Sequence, residues 1–231
     1  MAFPRKPRLP RAFGSYLTQV SLLLISVLLA LAVDRCNQSR KDAARWVEYR
    51  TLIVEELKQE LHSTRMNIAD NANDISGLEV AMTAVPVEDA AAQLAAAGQV
   101  GLVIGRGVFR TFPPLTYALL VSNGDSHLVE DLDLRQQLAA YASFRKDYIQ
   151  HDLVRHDELT LELVDRVGEY VDLWCLRRTG AADPACITDA ERLSRKLPQD
   201  IVKIYRHSGL RGFHLEKGEL LLQDLLQRFG E

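Results

Sequence analysis

The stretch "SLLLISVLLALAVDRCNQSRKD", residues 21–42, decides the architecture of the chain. An apolar run ends there at Val33 and gives way to a charged segment that contains a cysteine. The uncharged run begins upstream at Ala12 and comprises 22 residues. As a helix it would be roughly 33 Å long at about 1.5 Å per residue, which is enough to cross a bilayer. We therefore predict a basic tail over residues 1–11 and a transmembrane helix over residues 12–33.

A cleaved signal peptide and a lipoprotein start compete with a retained anchor as interpretations of this stretch. A signal peptide is supported by the basic start and by an A-x-A match at Ala30-Leu31-Ala32, but the uncharged run is longer than a typical signal core. A lipoprotein start at Cys36 would need a small residue directly before the cysteine, and Arg35 stands there. The retained anchor is the interpretation that we favour.

Charge is distributed unevenly between the two sides of the predicted span. Residues 1–33 carry a net charge of +4, and the remainder carries −7. A net acidic body without a basic stripe argues against nucleic acid as a partner. Basic residues flank both ends of the span, but the nearby acids, Asp34 and Asp42, lie only on the body side. We therefore expect the N-terminus in the cytoplasm and the body in the periplasm or its equivalent.

A long helix is predicted directly after the span, over residues 34–85. Neither glycine nor proline occurs between Gly14 and Gly77, so nothing breaks a helix there. Apolar residues recur mostly at intervals of three, four or seven and mark the expected core face: Trp46, Ile53, Leu57, Leu61, Ile68, Ile75, Leu78 and Met82. Charged residues are expected mostly on the solvated side: Glu55, Glu56, Lys58, Glu60 and Arg65.

The rest of the body, residues 86–231, continues with helical patterns and contains no convincing strand alternation, so we predict an all-α fold. A helix capped by Asp131 is expected to run to Cys175, with a bend near residues 151–157. Pro198 is expected to interrupt a later helix. The core face predicted for the helix that Asp131 caps comprises Leu134, Leu138, Tyr141, Phe144, Tyr148, Leu159, Leu163, Val167, Tyr170 and Trp174.

Two cysteines flank a short loop between helical patterns. Cys175 and Cys186 enclose "LRRTGAADPA", and in an oxidising compartment a disulfide between them could close this loop. The alternative is a pair of unrelated thiols, which is the interpretation that we favour by a narrow margin. Cys36 would be left over, and an odd cysteine just beyond the span could link two copies of the chain.

The strongest chemical constellation is "HDLVRHDELTLE", residues 151–162. Asp152 and His156 are four residues apart and share one face of a helix. A metal site would need a third ligand from elsewhere, such as His127 or His207. We favour the alternative, a solvated polar helix face, so Asp152 and His156 are only weak metal candidates.

Other polar or glycine-bearing motifs do not reach the pattern of a known site. "GLVIGRGVF", residues 101–109, lacks the Lys-Ser/Thr of a P-loop and the spacing of a dinucleotide fingerprint. "DNAND", residues 70–74, lacks the alternate acids and central glycine of a calcium loop, and we interpret it as a polar patch on the long helix. No cofactor is therefore expected, and the sequence order supports no Ser-His-Asp or Cys-His arrangement.

Two regions resemble an uncharacterised bacterial family of short single-span membrane proteins. The first is a basic start followed by "LLLISVLLALAVDRCNQSRKD" and a long helix with "LIVEELKQEL". The second, "TYALLVSNGDSHLVEDLDLRQQLAAYASF" over residues 116–144, is similar to the family's "TYxxLxxSGxLxLIxDxxLRxxLxxYY" element. Cys36 stands in place of the family's juxtamembrane Trp, and Asn123-Gly124 replaces its Ser-Gly. The resemblance implies an anchored helical body in the bacterial inner membrane, and it brings no catalytic residues.

These observations favour a non-catalytic single-pass membrane protein that acts as an accessory, scaffold or assembly subunit of a larger membrane complex. Its expected partners are the lipid bilayer and other membrane subunits or its own copies. Ser26 and Ala30, at small-xxx-small spacing, are candidates for contact with a partner helix in the membrane. One alternative is a ligand-sensing helical module that signals through a partner. A second, less favoured, is a metal-dependent enzyme centred on Asp152 and His156.

Overall fold

A computed structural model describes the chain in four segments: residues 11–84, 89–105, 115–179 and 183–230. These residues are almost entirely helical, and their one β pairing is an isolated bridge between Val171 and Ile187. The predicted all-α class is therefore confirmed. Residue contacts divide the chain into two units, Met1–Arg50 and Thr51–Glu231.

The described segments contain α1 Arg11–Ala84, α2 Ala90–Gly105, α3 Thr116–Ser122, α4 Leu132–Phe144, α5 His151–Gly168, α6 Leu173–Thr179 and α7 Ala190–Phe229. Shorter elements between them are two 3₁₀ turns, Asp125–Leu128 and Pro184–Cys186, and one π-helical segment, Arg145–Gln150. The long helix predicted to follow the span belongs to α1, which is continuous to Ala84. Residues 1–10 of the predicted basic tail, and the predicted helix end at Val85, lie outside the described segments.

The first unit contains the N-terminal part of α1. None of the side chains described between residues 19 and 50 is buried. Large apolar side chains point outward all round the helix, with Leu23 67% exposed and Leu29 65% exposed. In the described segments, α1 is the one helix that is long and apolar enough to cross a membrane. An apolar helix that exposes all its sides is typical of a lipid-facing span.

In the second unit, α1 buries one face whose members recur at intervals of three or four residues. Both ends of this core face are apolar, with Ile53 and Leu57 at one end and Leu78 and Ala81 at the other. Every buried residue between those ends is polar: Glu60, Thr64, Asn67, Asn71 and Asp74. A polar middle of this length requires hydrogen-bond partners from the facing helices.

The face predicted for this part of α1 is confirmed at its two apolar ends, but it was wrong by about one position in the polar middle. Leu61, Ile68 and Ile75, which were expected in the core, are only half-buried at its margin. Glu60, which was expected in solvent, is 5% exposed. The reason is that Tyr141 donates a hydrogen bond to its carboxylate inside the bundle, so the acid is not left unpaired.

A large apolar core lies where α2, α5 and α7 meet one end of the α1 core face. Its residues include Leu78, Leu94, Val100, Leu163, Val167, Tyr170, Leu193, Leu197, Ile201 and Ile204. Contrary to the prediction, α7 continues as a helix through Pro198. Leu197 and Ile201 pack into this core on either side of the proline. We infer that this packing outweighs the loss of one helical N–H donor.

The N-terminus of α4 confirms the predicted cap. One carboxylate oxygen of Asp131, Oδ1, accepts hydrogen bonds from the backbone N–H groups of Asp133, at 2.9 Å, and of Leu134, at 3.1 Å. The irregularity predicted near residues 151–157 occurs about one turn earlier, as the π-helical segment Arg145–Gln150. This segment changes which side chains face the core, because each π turn holds more residues than an α turn.

The helix that was predicted to reach Cys175 ends earlier, at Gly168. The chain then turns so that the backbone N–H of Asp172 donates to the carbonyl of Cys186 at 2.8 Å. Two residues expected on the core face are exposed as a result of the π segment and this turn, Tyr148 at 47% and Trp174 at 70%. The other eight members of that predicted face are buried: Leu134, Leu138, Tyr141, Phe144, Leu159, Leu163, Val167 and Tyr170.

Candidate functional site

A buried polar cluster joins α1, α5 and α7 around Arg211, whose side chain is 1% exposed. The guanidinium donates from Nε to Oδ1 of Asn71 at 2.8 Å, and its Nη2 also donates to that oxygen. Nη2 lies 3.3 Å from Oδ2 of Asp74, also on α1. On the α5 side, Nη1 lies 3.0 Å from Nδ1 of His156. One cation therefore bonds to residues of two other helices.

The contact with Arg211 fixes the protonation state and the tautomer of His156. Burial lowers the pKa of Arg211 to about 10, so its guanidinium remains charged at neutral pH and can only donate. Nδ1 of His156 must therefore accept, and the imidazole is neutral with its proton on Nε2. Burial, together with the charge of Arg211, lowers the pKa of His156 to about 3.

A second imidazole lies against the first. The rings of His156 and His207 stack with their centroids 5.7 Å apart. Burial, and then the charge of Arg211, lowers the pKa of His207. The next residue, Ser208, accepts a hydrogen bond at its backbone carbonyl from Nδ2 of Asn71 at 3.0 Å. The cluster therefore holds two imidazoles in the neutral state beside one guanidinium.

Asp152 forms a separate pair with α7, one turn along from Arg211. Its Oδ2 lies 2.5 Å from Nδ1 of His214. The His214 ring also packs among three aromatic rings, with centroid distances of 6.4 Å to Phe144, 5.0 Å to Tyr148 and 5.7 Å to Phe213. The carboxylate and the rings together set the orientation of this imidazole.

Glu60 is the centre of a third buried polar group, between α1 and the end of α4. Its Oε1 accepts from the hydroxyl of Tyr141 at 2.5 Å and lies 2.7 Å from Nε of Arg145. Burial raises the pKa of Glu60 and outweighs the opposite effect of these two neighbours. Burial also raises the pKa of the Tyr141 phenol. Removing either partner would leave polar groups unpaired in the bundle interior.

The two weak metal candidates lie on the core face of α5. The prediction that they belong to a solvated face is wrong, because Asp152 is 5% exposed and His156 is fully buried. The physical reason is that side chains of α7, His214 and Arg211, bond to them inside the bundle. Throughout the described segments, no three His, Cys, Asp or Glu side chains converge to hold a metal ion.

The two residues considered as third ligands have different positions. His207 belongs to the cluster, as the ring that stacks on His156. His127 is exposed, and its Nδ1 lies 3.1 Å from the backbone carbonyl oxygen of Gly124 in its own 3₁₀ turn. The structure therefore brings His207 and His156 together without forming a metal-ligand set.

Cys175 and Cys186 form a disulfide with their Cα atoms 5.4 Å apart. It joins α6 to the 3₁₀ turn Pro184–Cys186. The remaining cysteine, Cys36, is a free and exposed thiol in the first unit. The favoured interpretation of two unrelated thiols is therefore wrong, and the bond closes the loop between α6 and the start of α7.

Ser26 and Ala30, the candidates for a membrane-helix contact, are both exposed in the first unit. Oγ of Ser26 donates to the backbone carbonyl of Leu22 at 2.8 Å, which satisfies the hydroxyl within its own helix. Both residues line a shallow groove on α1 with Leu29, Val33, Asp34 and Asn37.

Sequence reasoning missed the residues that form the centre of the cluster. Asn71 and Asp74 lie in the "DNAND" stretch, which was interpreted as a surface patch, yet both are at most 3% exposed. The available signal was their spacing, since they continue the three-and-four pattern between Leu57 and Leu78. Arg211 carried no comparable local signal because its partners are 55 to 140 positions away.

No protein-family model, curated protein or solved structure matches the chain. Its function must therefore be inferred from the chemistry of its own residues. In chemical terms, the cluster holds charges and neutral imidazoles in a fixed geometry and ties three helices together. We infer that this network favours one packing of the bundle.

Proposed function

We propose that the chain is a non-catalytic, single-pass membrane protein that serves as an accessory, scaffold or assembly subunit of a larger membrane complex. The observation that carries this proposal is Trp174, a large apolar side chain that is 70% exposed on the body. Leu173 beside it is 37% exposed. Tryptophan is enriched among the residues that dominate the binding energy of protein interfaces.

The backbone that presents Trp174 is held on both sides. Oδ1 of Asp172 accepts hydrogen bonds from the N–H of Trp174, at 2.9 Å, and from the N–H of Cys175, at 3.0 Å. The disulfide to Cys186 then fixes the same helix from its other side. Because this backbone is already fixed, it loses little conformational freedom on binding, which favours the use of Trp174 as an interface anchor.

The proposed location is the bacterial inner membrane, with the N-terminus in the cytoplasm and the body in the periplasm. The apolar, outward-facing helix of the first unit supports an anchor. The disulfide supports an oxidising compartment for the body, because reducing compartments keep most thiols free.

Purification of the full chain from native membranes in a mild detergent tests this function. We expect a stoichiometric partner protein to be retained by the wild-type chain. Trp174→Ala should lower its recovery by about tenfold or more, as for an interface hot spot. Arg178→Ala, which alters another exposed residue of α6, is the matched control and should retain the partner. A wild-type chain recovered without any partner would refute the proposal.

A ligand-sensing module is the second candidate, and a specific observation favours it. Within the described segments, several buried polar atoms have no hydrogen-bond partner, among them Oγ1 of Thr64, Nδ2 of Asn67 and Oγ of Ser208. Each unpaired group costs about 1–3 kcal/mol, so a small polar ligand among these helices would be stabilised. Mass spectrometry of small molecules released on denaturing the purified chain tests this candidate. If no small molecule is released, the ligand-sensing candidate is contradicted.

A further inference from the structure

A second line of side chains follows α7 on the side opposite its core face. Its members recur at alternating intervals of four and three residues, and all six are exposed: Val202, Arg206, Gly209, Phe213, Glu216 and Leu220. The three large apolar members are well exposed, Val202 at 48%, Phe213 at 60% and Leu220 at 66%. This spacing keeps side chains in one line along a helix and is the pattern of a helix-pairing seam. We call these six residues the α7 stripe.

The α7 stripe is symmetric about the position of Arg211. Three pairs are equidistant from it: Gly209 and Phe213 at two residues, Arg206 and Glu216 at five, and Val202 and Leu220 at nine. A two-fold axis at this point would place each residue opposite the other member of its pair on an antiparallel copy of α7. Every such contact would then occur twice, as in any isologous interface.

The pair nearest the axis is complementary in shape. Phe213 projects a large ring from the stripe, and Gly209 has no side chain. No atom lies within 4 Å of the place where a Cβ on Gly209 would be, so there is open space above it. In the antiparallel arrangement the ring of each copy would enter the space above the glycine of the other copy.

The next pair is complementary in charge. Antiparallel packing would set Arg206 against Glu216 of the second copy, twice per dimer. A parallel arrangement would instead set Arg206 against Arg206 and Glu216 against Glu216, and like charges placed together disfavour a pairing. The outermost pair adds an apolar contact between Val202 and Leu220. The shape pair and the charge pair therefore favour an antiparallel partner, and the apolar pair is compatible with it.

We propose that the α7 stripe is the interface of a homodimer in which the α7 helices of two copies pack antiparallel about Arg211. The occupant of this face is a second copy of the chain, because an identical helix run in the opposite direction complements the stripe in shape at Gly209 and Phe213 and in charge at Arg206 and Glu216. The proposal goes beyond the accessory function and does not depend on it, since Trp174 on α6 is not part of the stripe.

Sedimentation of the full chain in dodecyl maltoside, with the detergent contribution subtracted, tests the dimer first. We expect the wild-type chain to sediment as a dimer and Phe213→Asp to sediment as a monomer. Leu161→Asp is the matched control, because Leu161 is 68% exposed on α5 and lies outside the stripe. It should remain dimeric. A monomeric wild-type chain across the concentration range, or a dimeric Phe213→Asp, would overturn the proposal.

Charge reversal tests the pairing itself. Arg206→Glu and Glu216→Arg should each raise the dimer Kd by about tenfold or more, because each replaces two attractive contacts with two repulsive ones. The double variant exchanges the charges and should return the Kd to within about threefold of the wild type. Recovery in the double variant would tie the losses in the single variants to the pairing of the two charges. Failure of the double variant to recover would refute the Arg206–Glu216 contact and with it this register.

Cysteine cross-linking distinguishes the two directions. In a Cys36→Ser background, Val202→Cys with Leu220→Cys should give disulfide-linked dimers, whereas Val202→Cys alone should give none. The two Val202 positions of an antiparallel pair would be roughly 27 Å apart, at about 1.5 Å per residue over the eighteen residues between positions 202 and 220. Cross-linking by Val202→Cys alone would indicate a parallel pair and overturn the proposal.

Discussion

Acidification should destabilise the second unit because its fold requires a neutral imidazole at His156. A proton on Nδ1 would remove the hydrogen bond from Arg211 and set two cations 3.0 Å apart. The folded pKa of His156 is about 3, against an ordinary value of 6.5. Since the unfolded chain takes up this proton first, the free energy of unfolding must fall as the pH drops below 6.5. Above pH 6.5, His156 is neutral in both the folded and the unfolded chain and does not change the free energy of unfolding.

The size of this loss follows from the two pKa values. At about 1.4 kcal/mol per pH unit below the unfolded value, His156 alone should remove about 2 kcal/mol by pH 5. The lowered pKa of His207 acts in the same direction. The raised pKa of Glu60 acts in the opposite direction, because the folded carboxyl takes up a proton at a higher pH than the unfolded one.

Urea unfolding of the full chain in dodecyl maltoside, followed by circular dichroism at pH 8 and pH 5, measures the effect. His156→Gln keeps an acceptor for Arg211 and cannot titrate, so its stability difference between the two pH values should be smaller than that of the wild type by about 2 kcal/mol. The effects of His207 and Glu60 are present in both proteins and cancel. His151→Gln, an exposed control on α5, should retain the wild-type difference. An unchanged pH dependence in His156→Gln would show that this reasoning is wrong.

Three further changes test the packing through the free energy of unfolding at pH 8. Arg211→Met should lower it by about 3–5 kcal/mol, because a buried carboxylate loses its cation. Gly212→Ala should lower it by about 1–3 kcal/mol, since a Cβ there would lie 2.7 Å from Nδ2 of Asn71 and displace this amide. Reduction of the Cys175–Cys186 disulfide should lower it by up to about 3 kcal/mol, because the unfolded chain gains freedom.

Matched variants make these three tests specific. Arg195→Met, at an exposed position of α7, should change stability by less than about 0.5 kcal/mol. Gly101→Ala meets no neighbour within 4 Å of its new Cβ and should stabilise α2 by up to about 1 kcal/mol. Cys36→Ser should leave the effect of reductant unchanged. An Arg211→Met protein as stable as Arg195→Met would contradict the structural importance of the cluster.

The helices could be predicted from the sequence because their signals are local. The cap at Asp131 needs only its own next three residues, and the apolar rows around Leu138 and Leu163 repeat within one helix. Trp174 was wrongly predicted to face the core because the helix ends at Gly168. Beyond that residue, a β bridge between Val171 and Ile187 replaces the helical hydrogen bonds. That replacement depends on pairing between Val171 and Ile187, which no local pattern reveals.

The spacing of Asn71 and Asp74 suits the core face, but the cluster as a whole could not be predicted because burial of a polar side chain depends on a partner elsewhere in the chain. Asn71 is a polar residue of a type that is usually exposed, and only its contact with Arg211 explains its burial. His156 likewise suits a solvated face, and its spacing of four residues from Asp152 also suits a metal ligand. Only the three-dimensional position of α7 decides between these alternatives, because it supplies the donor that each group needs.

The polar middle of the α1 core face also limits how α7 can slide along α1. In an all-leucine interface, a shift by one heptad exchanges one leucine contact for another at little cost. Here the same shift would carry Arg211 away from Asn71 and Asp74 and leave a cation and a carboxylate buried apart, at a cost of several kcal/mol. Slipped alignments of these long helices are therefore strongly disfavoured, and α7 satisfies its buried charges in one alignment on α1.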